Sequence, residues 1–377
     1  MTKYVKINKD MNKRINKQIK EYLSPDYIYL PYNNKDSLNV KGKEEIYKNS
    51  IVLANKNKFV YSPVSGTVMG LCDNIVDGKN QKTIVIENNF KENVSKSSGI
   101  KKDPYNISKN DLIKIVKSYG AFDENLNGKT LVINGIDNEP NEATFSYLIE
   151  EHTDQILEVV DALINILDIH KCFFAIKDSD SNNVITLLNQ MGTYPNIELK
   201  LMKDYYPIGN KDILIKELVL NSKMDDGVVY LTVEDAFNIY NVLKRKTPIT
   251  EKLVTIGGNL LTKSKVVKVK IGTRIADIVA DEFKIKKDEY HIIINGLLSG
   301  YEIDSLNAII TPNIRSIFIE EVNTEKPVKC INCGLCHINC PVSADPRYGI
   351  NMNKCIKCGL CNYICPSKIH LVGDKHE

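Results

Sequence analysis

The apolar positions along this chain change period four times. Between residues 26 and 90 they come in short β-branched and aromatic runs set between polar turns: Tyr27-Ile-Tyr-Leu-Pro31, Ser50-Ile-Val-Leu-Ala54, Phe59-Val-Tyr61 and Thr83-Ile-Val-Ile-Glu87. Runs this short, bounded by turn residues, predict strands. Ser62-Pro-Val-Ser-Gly-Thr-Val-Met-Gly70 adds a tight turn entering a strand, so the unit reads as a barrel-sandwich-like β domain. A lipoyl or biotinyl carrier would place a modifiable lysine on a hairpin tip. The candidate tip Asp77-Gly-Lys-Asn80 lacks the flanking Met or Asp of that motif, which leaves a structural barrel.

Residues 91–106 are polar and hold Ser, Asn, Gly and Pro, the composition of a linker. From 107 to 249 strands and helices alternate. Ser108 is placed to cap a helix over 111–117. Lys129–Asn134, Cys172–Ile176, Ile197–Met202 and Gly227–Leu231 are apolar runs that predict buried strands. A long amphipathic helix is predicted over 143–168, with Phe145, Leu148, Ile149, Ile156, Val159, Val160, Leu163 and Leu167 on one stripe. Shorter helices are predicted near 184–188, 212–220 and 233–243. Strand, helix and strand in alternation predict a three-layer α/β domain. Between 250 and 322 the β-like runs 253–256, 266–271 and 290–294 surround one helix at 273–283. That pattern predicts a β-grasp module, with Asn295-Gly296 as a hairpin turn. Residues 323–377 form the last unit, and 1–25 a basic tail with seven Lys or Arg against one Asp in its first twenty positions.

Composition narrows the function classes. At 377 residues the length suits two or three domains. A net charge of +3, without a basic stripe interleaved with aromatics, argues against nucleic acid as a partner. No apolar run approaches the eighteen or so residues of a spanning helix, and no secretory signal follows the basic start. The expected location is cytoplasmic, with any place on the inner face of a membrane supplied by partner proteins.

Cysteine usage changes the picture most. Two runs share one spacing: Cys330-x-x-Cys333-x-x-Cys336-x-x-x-Cys340-Pro341 and Cys355-x-x-Cys358-x-x-Cys361-x-x-x-Cys365-Pro366. Three cysteines at gaps of two suit three corners of a 4Fe–4S cube, and the fourth, followed by proline, ligates the other cube. This assigns Cys330, Cys333, Cys336 and Cys365 to one cluster, and Cys355, Cys358, Cys361 and Cys340 to the other. Zinc ribbons, which need pairs split by longer spacers, and disulfides are the competing readings. Cys72 and Cys172 read as buried thiols. His337 and His370 lie beside the runs and read as surface residues; the six histidines form no His-Glu-x-x-His pattern.

The order of these units is similar to the RnfC family, the NADH-facing component of the Rnf electron-transport complex, together with its PrdC-like relatives. The residues that carry the resemblance are Tyr61–Val68, Thr130-Leu-Val-Ile-Asn-Gly135 with Glu139-Pro140, Tyr206-Pro207 with Gly209, Val254–Gly258, and the second cysteine run through Lys368. The resemblance implies electrons taken from NADH through FMN in the α/β domain and passed on through the two clusters. It places Gly120, Asn134, Glu139 and Glu234 at the flavin cavity. The family's glycine-rich flavin loop corresponds here to Lys117-Ser-Tyr-Gly-Ala-Phe-Asp-Glu-Asn125. Of its glycines only Gly120 remains, with Asp123 and Glu124 set to repel a phosphate. Asp137-Asn138 replaces the usual Glu-Cys pair, and Lys211 follows Gly209 where an acid is common. FMN and NADH sites are therefore not expected to be intact.

The sequence thus predicts an RnfC-like iron–sulfur protein relaying electrons to a redox partner protein, with the components of a membrane electron-transport complex among the candidate partners. One rival is an NADH:acceptor oxidoreductase with bound FMN. A second is a partner-binding scaffold in which the clusters are only structural.

Overall fold

The computed structural model describes residues 16–56, 58–95, 103–220, 227–322 and 326–371. The chain opens with β1 (Asn16–Tyr22), then β2 (Tyr27–Pro31), β3 (Ser37–Leu38), β4 (Glu45–Ile46), β5 (Ile51–Asn55), β6 (Lys58–Tyr61), β7 (Gly66–Val76) and β8 (Lys79–Asn88). Strands β2-β8-β7-β4 and β3-β5-β6 form two antiparallel sheets. Ile28, Leu30, Val52, Leu53, Val64, Val68, Ile84 and Ile86 fill the space between them. The alternation of buried and outward residues along these strands is what makes a two-sheet packing possible.

Next come α1 (Lys109–Ser118), β9 (Thr130–Asn134), α2 (Thr144–Leu167), β10 (Lys171–Lys177), α3 (Ser181–Met191), β11 (Ile197–Met202), α4 (Lys211–Leu220), β12 (Val228–Thr232) and α5 (Val233–Arg245). The four strands are parallel, in the order β11-β10-β9-β12. Every residue of β9 is buried, as expected for a central strand covered on both faces. Helices α1, α2 and α5 pack one face through Leu112, Val116, Ile156, Val160, Ile239 and Leu243. The other face carries Val132 and Phe173 against α4, through Ile213, Leu214 and Leu218.

The third unit contains β13 (Glu251–Gly257), β14 (Lys265–Lys270), α6 (Ile275–Glu282), β15 (His291–Ile294), β16 (Tyr301–Ile303) and β17 (Ser316–Glu320). They build a mixed sheet in the order β1-β14-β13-β17-β15-β16, with Ile275, Ile278 and Val279 of α6 on its core. The last unit has little regular structure: α7 (Leu335–Ile338), one 3-10 turn at Met352–Lys354, and α8 (Leu360–Tyr363).

Two expectations need correction. The basic tail does not run to residue 25, because Asn16–Tyr22 pairs in parallel with β14 and satisfies the backbone of that strand. Lys20 adds a 3.4 Å ion pair to Glu282, and Tyr22 packs on the core of the third sheet. Residues 1–15 of the tail lie outside the described residues. The Asn295-Gly296 turn is also wider than a two-residue hairpin. It forms the start of a six-residue loop between β15 and β16, closed by Gly300 N–H donating to the Gly296 carbonyl at 3.1 Å. Among the described residues no helix is long and apolar enough to cross a membrane.

Candidate functional site

The two cysteine runs repeat one backbone. Asn332 and Lys357 both take left-handed φ, at 55° and 51°, as do Gly334 (76°) and Gly359 (70°) and then Ser343 (56°) and Lys368 (54°). Each glycine starts a four-residue helix, α7 or α8. The amide of Asn332 donates to Cys330 Sγ and that of Lys357 to Cys355 Sγ, both at 3.4 Å; Ala344 N–H reaches Cys340 Sγ at 3.2 Å. Amide donors of this kind stabilise thiolate ligands and tune cluster potentials.

The surroundings of the two runs differ. Cys330 and Cys333 are exposed, whereas every cysteine of the second run is at least partly covered. Cys340, Cys355, Cys358 and Cys361 border one small space, together with Cys336, Val342, Ile356 and Leu360. Burial pushes the Cys358 thiol up to about 12 and that of Cys361 to about 11. A positive cluster core would reverse that penalty by binding the thiolates. Among the described residues no three His, Cys, Asp or Glu groups close on a single ion. Val342, just after the first run, and Ile356, in the second, pack against Val132, Phe173 and Ile208 of the α/β unit. His337 Nδ1 lies 3.2 Å from the Ala344 carbonyl and His370 Nδ1 3.5 Å from Asn362 Nδ2; both rings belong to exposed residues.

A buried polar contact fixes this docking. Glu139, only 2% exposed, lies in the loop after β9. Its carboxyl accepts from Leu298 N–H (3.0 Å), Ser299 N–H (3.1 Å) and Ser299 Oγ (2.6 Å), all in the β15–β16 loop. Tyr206 Oη lies 2.9 Å from Glu139 Oε1 and 2.6 Å from the Cys358 carbonyl oxygen. A phenol has one proton, so both contacts are hydrogen bonds only when the carboxyl carries a second. Burial favours that state and pushes Glu139 up to about 7, with Glu142 adding to the rise and Ser299, Leu298 and Tyr206 opposing it. Three units of the chain thus meet at one carboxyl group. Sequence reading singled out Glu139 but had no signal for Ser299, which lies 160 positions away.

The other flavin-cavity candidates do not converge. Asn134 ends β9 beside β12, where the strand order reverses and open α/β sheets usually bind ligands. Its Nδ2 donates to the Gly209 carbonyl (3.1 Å) and Tyr230 Oη (2.9 Å), while its Oδ1 accepts from Ile136 N–H (2.9 Å). Lys211 covers the Tyr230 ring and pairs with Glu124 at 2.6 Å. Asp137 accepts from the amides of Phe145 (2.9 Å) and Ser146 (3.2 Å), which makes it the side-chain cap of α2. Gly120 is the left-handed residue after α1, its amide donating to the Lys117 carbonyl, and is therefore a helix terminator. Ala121 and Phe122 are buried in the main core.

Asp123 and Glu124 also differ from expectation. Asp123 pairs with Lys58 and Lys117, and Glu124 with Lys211, so lysines offset the charge expected to repel a phosphate. Glu234 lies apart, in a cleft of about 490 Å³ between α2, α5 and β13. There it pairs at 3.8 Å with buried Lys252, whose ammonium burial makes easier to deprotonate. In the same cleft α2 loses helical geometry at His152, whose ring stacks on Phe237. Of the two remaining thiols, Cys172 is buried and Cys72 half-buried, 3.4 Å from Thr83 Oγ1.

Fold and site together describe a parallel α/β unit carrying a module of paired cysteine runs. Residues 114–243 match a family described as the Nuo51 FMN-binding domain. Over most of its length the chain is similar to the C subunits of ion-translocating oxidoreductase complexes. It is 27% identical to that of Buchnera aphidicola from Acyrthosiphon pisum, covering 86% of this chain and 74% of that one. With the C subunit of the proton-translocating ferredoxin:NAD(+) oxidoreductase complex of Clostridium ljungdahlii the identity is 23%, over 88% and 79%. The C subunit of the ion-translocating complex of Haemophilus influenzae matches at 27% over 58% of this chain and 28% of its own length. The likeness to the RnfC family read from the sequence is borne out.

Proposed function

We propose that this chain is an RnfC-like electron-transfer subunit that holds two 4Fe–4S clusters, one on Cys330, Cys333, Cys336 and Cys365 and the other on Cys355, Cys358, Cys361 and Cys340. The observation that carries the reading is the lining of one small space by Cys340 together with Cys355, Cys358 and Cys361, with Cys336 also on its border. The repeated left-handed positions and amide-to-sulfur bonds support it, since both runs then present their thiols from the same loop geometry. When bound, such clusters supply one-electron storage without proton exchange. The residues of the chain then set geometry and access: Tyr206, Glu139 and Ser299 lock the second run against the α/β unit, and Val342 and Ile356 exclude water there.

On this reading the two N-terminal sheets form the barrel-like unit and the mixed sheet with α6 the β-grasp module. The partners are subunits of a multi-subunit oxidoreductase complex, which would bring the chain to a membrane surface. The residues read as a flavin cavity are engaged with other partners or lie apart. Asn134 is hydrogen-bonded on both its side-chain groups, Tyr230 and Lys211 occupy the edge beside it, and Gly120 ends a helix, so no step is routed through FMN or NADH. The match of residues 114–243 to a flavin-binding family keeps the oxidoreductase with bound FMN as the second reading.

Anaerobic reconstitution tests both readings. The expected product binds about eight irons, gives paramagnetic signals of two interacting clusters on reduction, and shows no FMN fluorescence quenching at micromolar flavin. Four irons or fewer would overturn the two-cluster reading, and tight FMN binding would favour the second.

A further inference from the structure

The cleft between α2, α5 and β13 has no part in the cysteine runs, and Gly120, Asn134 and Glu139 do not line it. Its volume of about 490 Å³ suits a small molecule. Helix α5 packs one face on the sheet through Val233, Ala236, Ile239, Val242 and Leu243. Phe237, Asn241 and Arg245, each one turn further along, line the cleft instead. Against them α2 loses helical geometry at His152 (φ −133°, ψ 22°), whose ring stacks on Phe237 with centroids 4.4 Å apart. Tyr147 meets the same imidazole edge-on at 6.3 Å, so the cleft has an aromatic wall. Two buried polar atoms in its lining, His152 Nδ1 and Asn241 Oδ1, have no hydrogen-bond partner. Buried polar atoms are nearly always paired, and two orphans in one cleft mark a place where a bound group completes them.

Charge then narrows the ligand. Lys48 and Lys268 line the cleft, and together with Lys270 they share one carboxylate, Glu251, at 3.7, 3.2 and 3.1 Å. The other acids there are exposed: Glu92, 3.8 Å from Lys48, and Glu21, 3.9 Å from Lys268. Arg245 lies over the Tyr240 ring and pairs with no carboxylate among the described residues. Buried Lys252 is offset by Glu234 at 3.8 Å. Burial and the cations Arg245 and Lys268 hold the His152 imidazole below its ordinary value, against Glu151 and Asp154. The ring is therefore neutral, and its free Nδ1 donates or accepts according to tautomer. We propose that this cleft binds a small aromatic carboxylate, its ring against the His152–Phe237 wall and its carboxylate among Arg245, Lys268 and His152 Nδ1. Aromatic groups extend such a wall by stacked or edge contacts, and a guanidinium fork matches a carboxylate. A single negative charge suits the site better than two, because Glu21, Glu234 and Glu251 also border it. The site owes nothing to the cluster reading and stands or falls without it.

The test uses the purified full chain and four probes: benzoate, its neutral counterpart benzamide, and the ring-free anions acetate and inorganic phosphate. Titration calorimetry, repeated by saturation-transfer NMR for the three organic probes, should find saturable benzoate binding with a Kd on the order of 1 mM or tighter. Each other probe should bind about tenfold more weakly. Arg245→Gln and Lys268→Gln should each weaken benzoate by about tenfold. Arg245→Gln should scarcely move the melting temperature of the free chain, because Arg245 holds no carboxylate of its own. Phe237→Leu should bring benzoate down to the level of acetate. Where that variant melts early, the two cation variants decide alone. Lys35→Gln, in a turn of the N-terminal unit, should change nothing. Absence of saturable benzoate binding, equal affinity for benzoate and benzamide, or binding untouched by both cation variants would overturn the proposal. Displacement of benzoate by micromolar FMN or NADH would also overturn it, by giving the cleft to a cofactor. Iron content is measured in parallel, so that cluster loss with benzoate binding intact counts against the two-cluster reading alone.

Discussion

The two cysteine runs are the same peptide in two environments. Their spacing, their left-handed residues and their short helices coincide, yet one run faces solvent and the other is pressed against two earlier units of the chain. Gly334 and Gly359 show the contrast at a single atom. A Cβ on Gly334 would meet only the flexible Arg347 guanidinium, 3.5 Å away, whereas a Cβ on Gly359 would lie 1.7 Å from the Leu298 carbonyl oxygen. Local sequence therefore sets the shape of the ligand loop, and distant sequence sets which loop is covered.

The strongest way to break this comparison is to exchange the fourth cysteines. If ligation crosses between the runs, Cys340→Ala removes the cluster of Cys355, Cys358 and Cys361 and leaves that of Cys330, Cys333 and Cys336, while Cys365→Ala does the reverse. Iron should fall from about eight to about four in each variant, with a single unpaired cluster signal left. Damage confined to the run that carries the substitution would show that the ligation does not cross.

The glycines sharpen the comparison. Both substitutions force a left-handed φ on a side chain, at a cost of about 1 kcal/mol. Gly359→Ala also drives the second run off Leu298, for a total of roughly 3 kcal/mol or more. Thermal melts of the loaded protein should place Gly359→Ala well below Gly334→Ala, and equal melting points would mean that the docking contact is absent in solution.

A smaller effect should follow pH. The folded Glu139 holds its proton up to about 7, well above the ordinary value of 4.5. The folded state then binds more protons than the unfolded state between those values, so stability falls as pH rises from about 4.5 to about 7 and levels off above. The contribution is on the order of 3 kcal/mol. Glu139→Gln keeps a neutral group that can donate to Tyr206 and accept from Ser299, and it should gain stability relative to wild type at pH 8 but not at pH 4.5. Asp137 and Asp235, each pushed by burial up to about 6, tilt both proteins alike, so the difference between the two proteins isolates Glu139. Parallel stability curves for the two proteins would refute the shared-proton arrangement. Tyr206→Phe should cost about 1 kcal/mol and alter the potential of the second cluster alone.

Local chemistry was legible in the sequence and long-range pairing was not. The helix expected over 143–168 forms as Thr144–Leu167, because its apolar stripe repeats at the helical period over six turns. The cysteine runs were legible for a similar reason, since their ligand spacing is written within eleven residues. The partners of Glu139 were not, because Tyr206, Leu298 and Ser299 are joined to it only by tertiary structure. Strand β1 escaped notice because Asn-Lys-Gln-Ile-Lys-Glu-Tyr carries little apolar pattern, and its pairing is set by the open edge of β14. The charge of Asp123 and Glu124 was read without the lysines that face them from β6 and α4.

The lock formed by Glu139, Tyr206 and the Cys358 carbonyl also sets an order of maturation. Its parts come from the α/β unit, the β15–β16 loop and the second cysteine run, the last of them near the end of the chain. During synthesis the first two are complete while the third is still being made, so the carboxyl waits without its outer partner. On the two-cluster reading, the exposed first run stays open to iron after the lock has formed, whereas the partly covered second run would be loaded more readily before Tyr206 and Leu298 close on it.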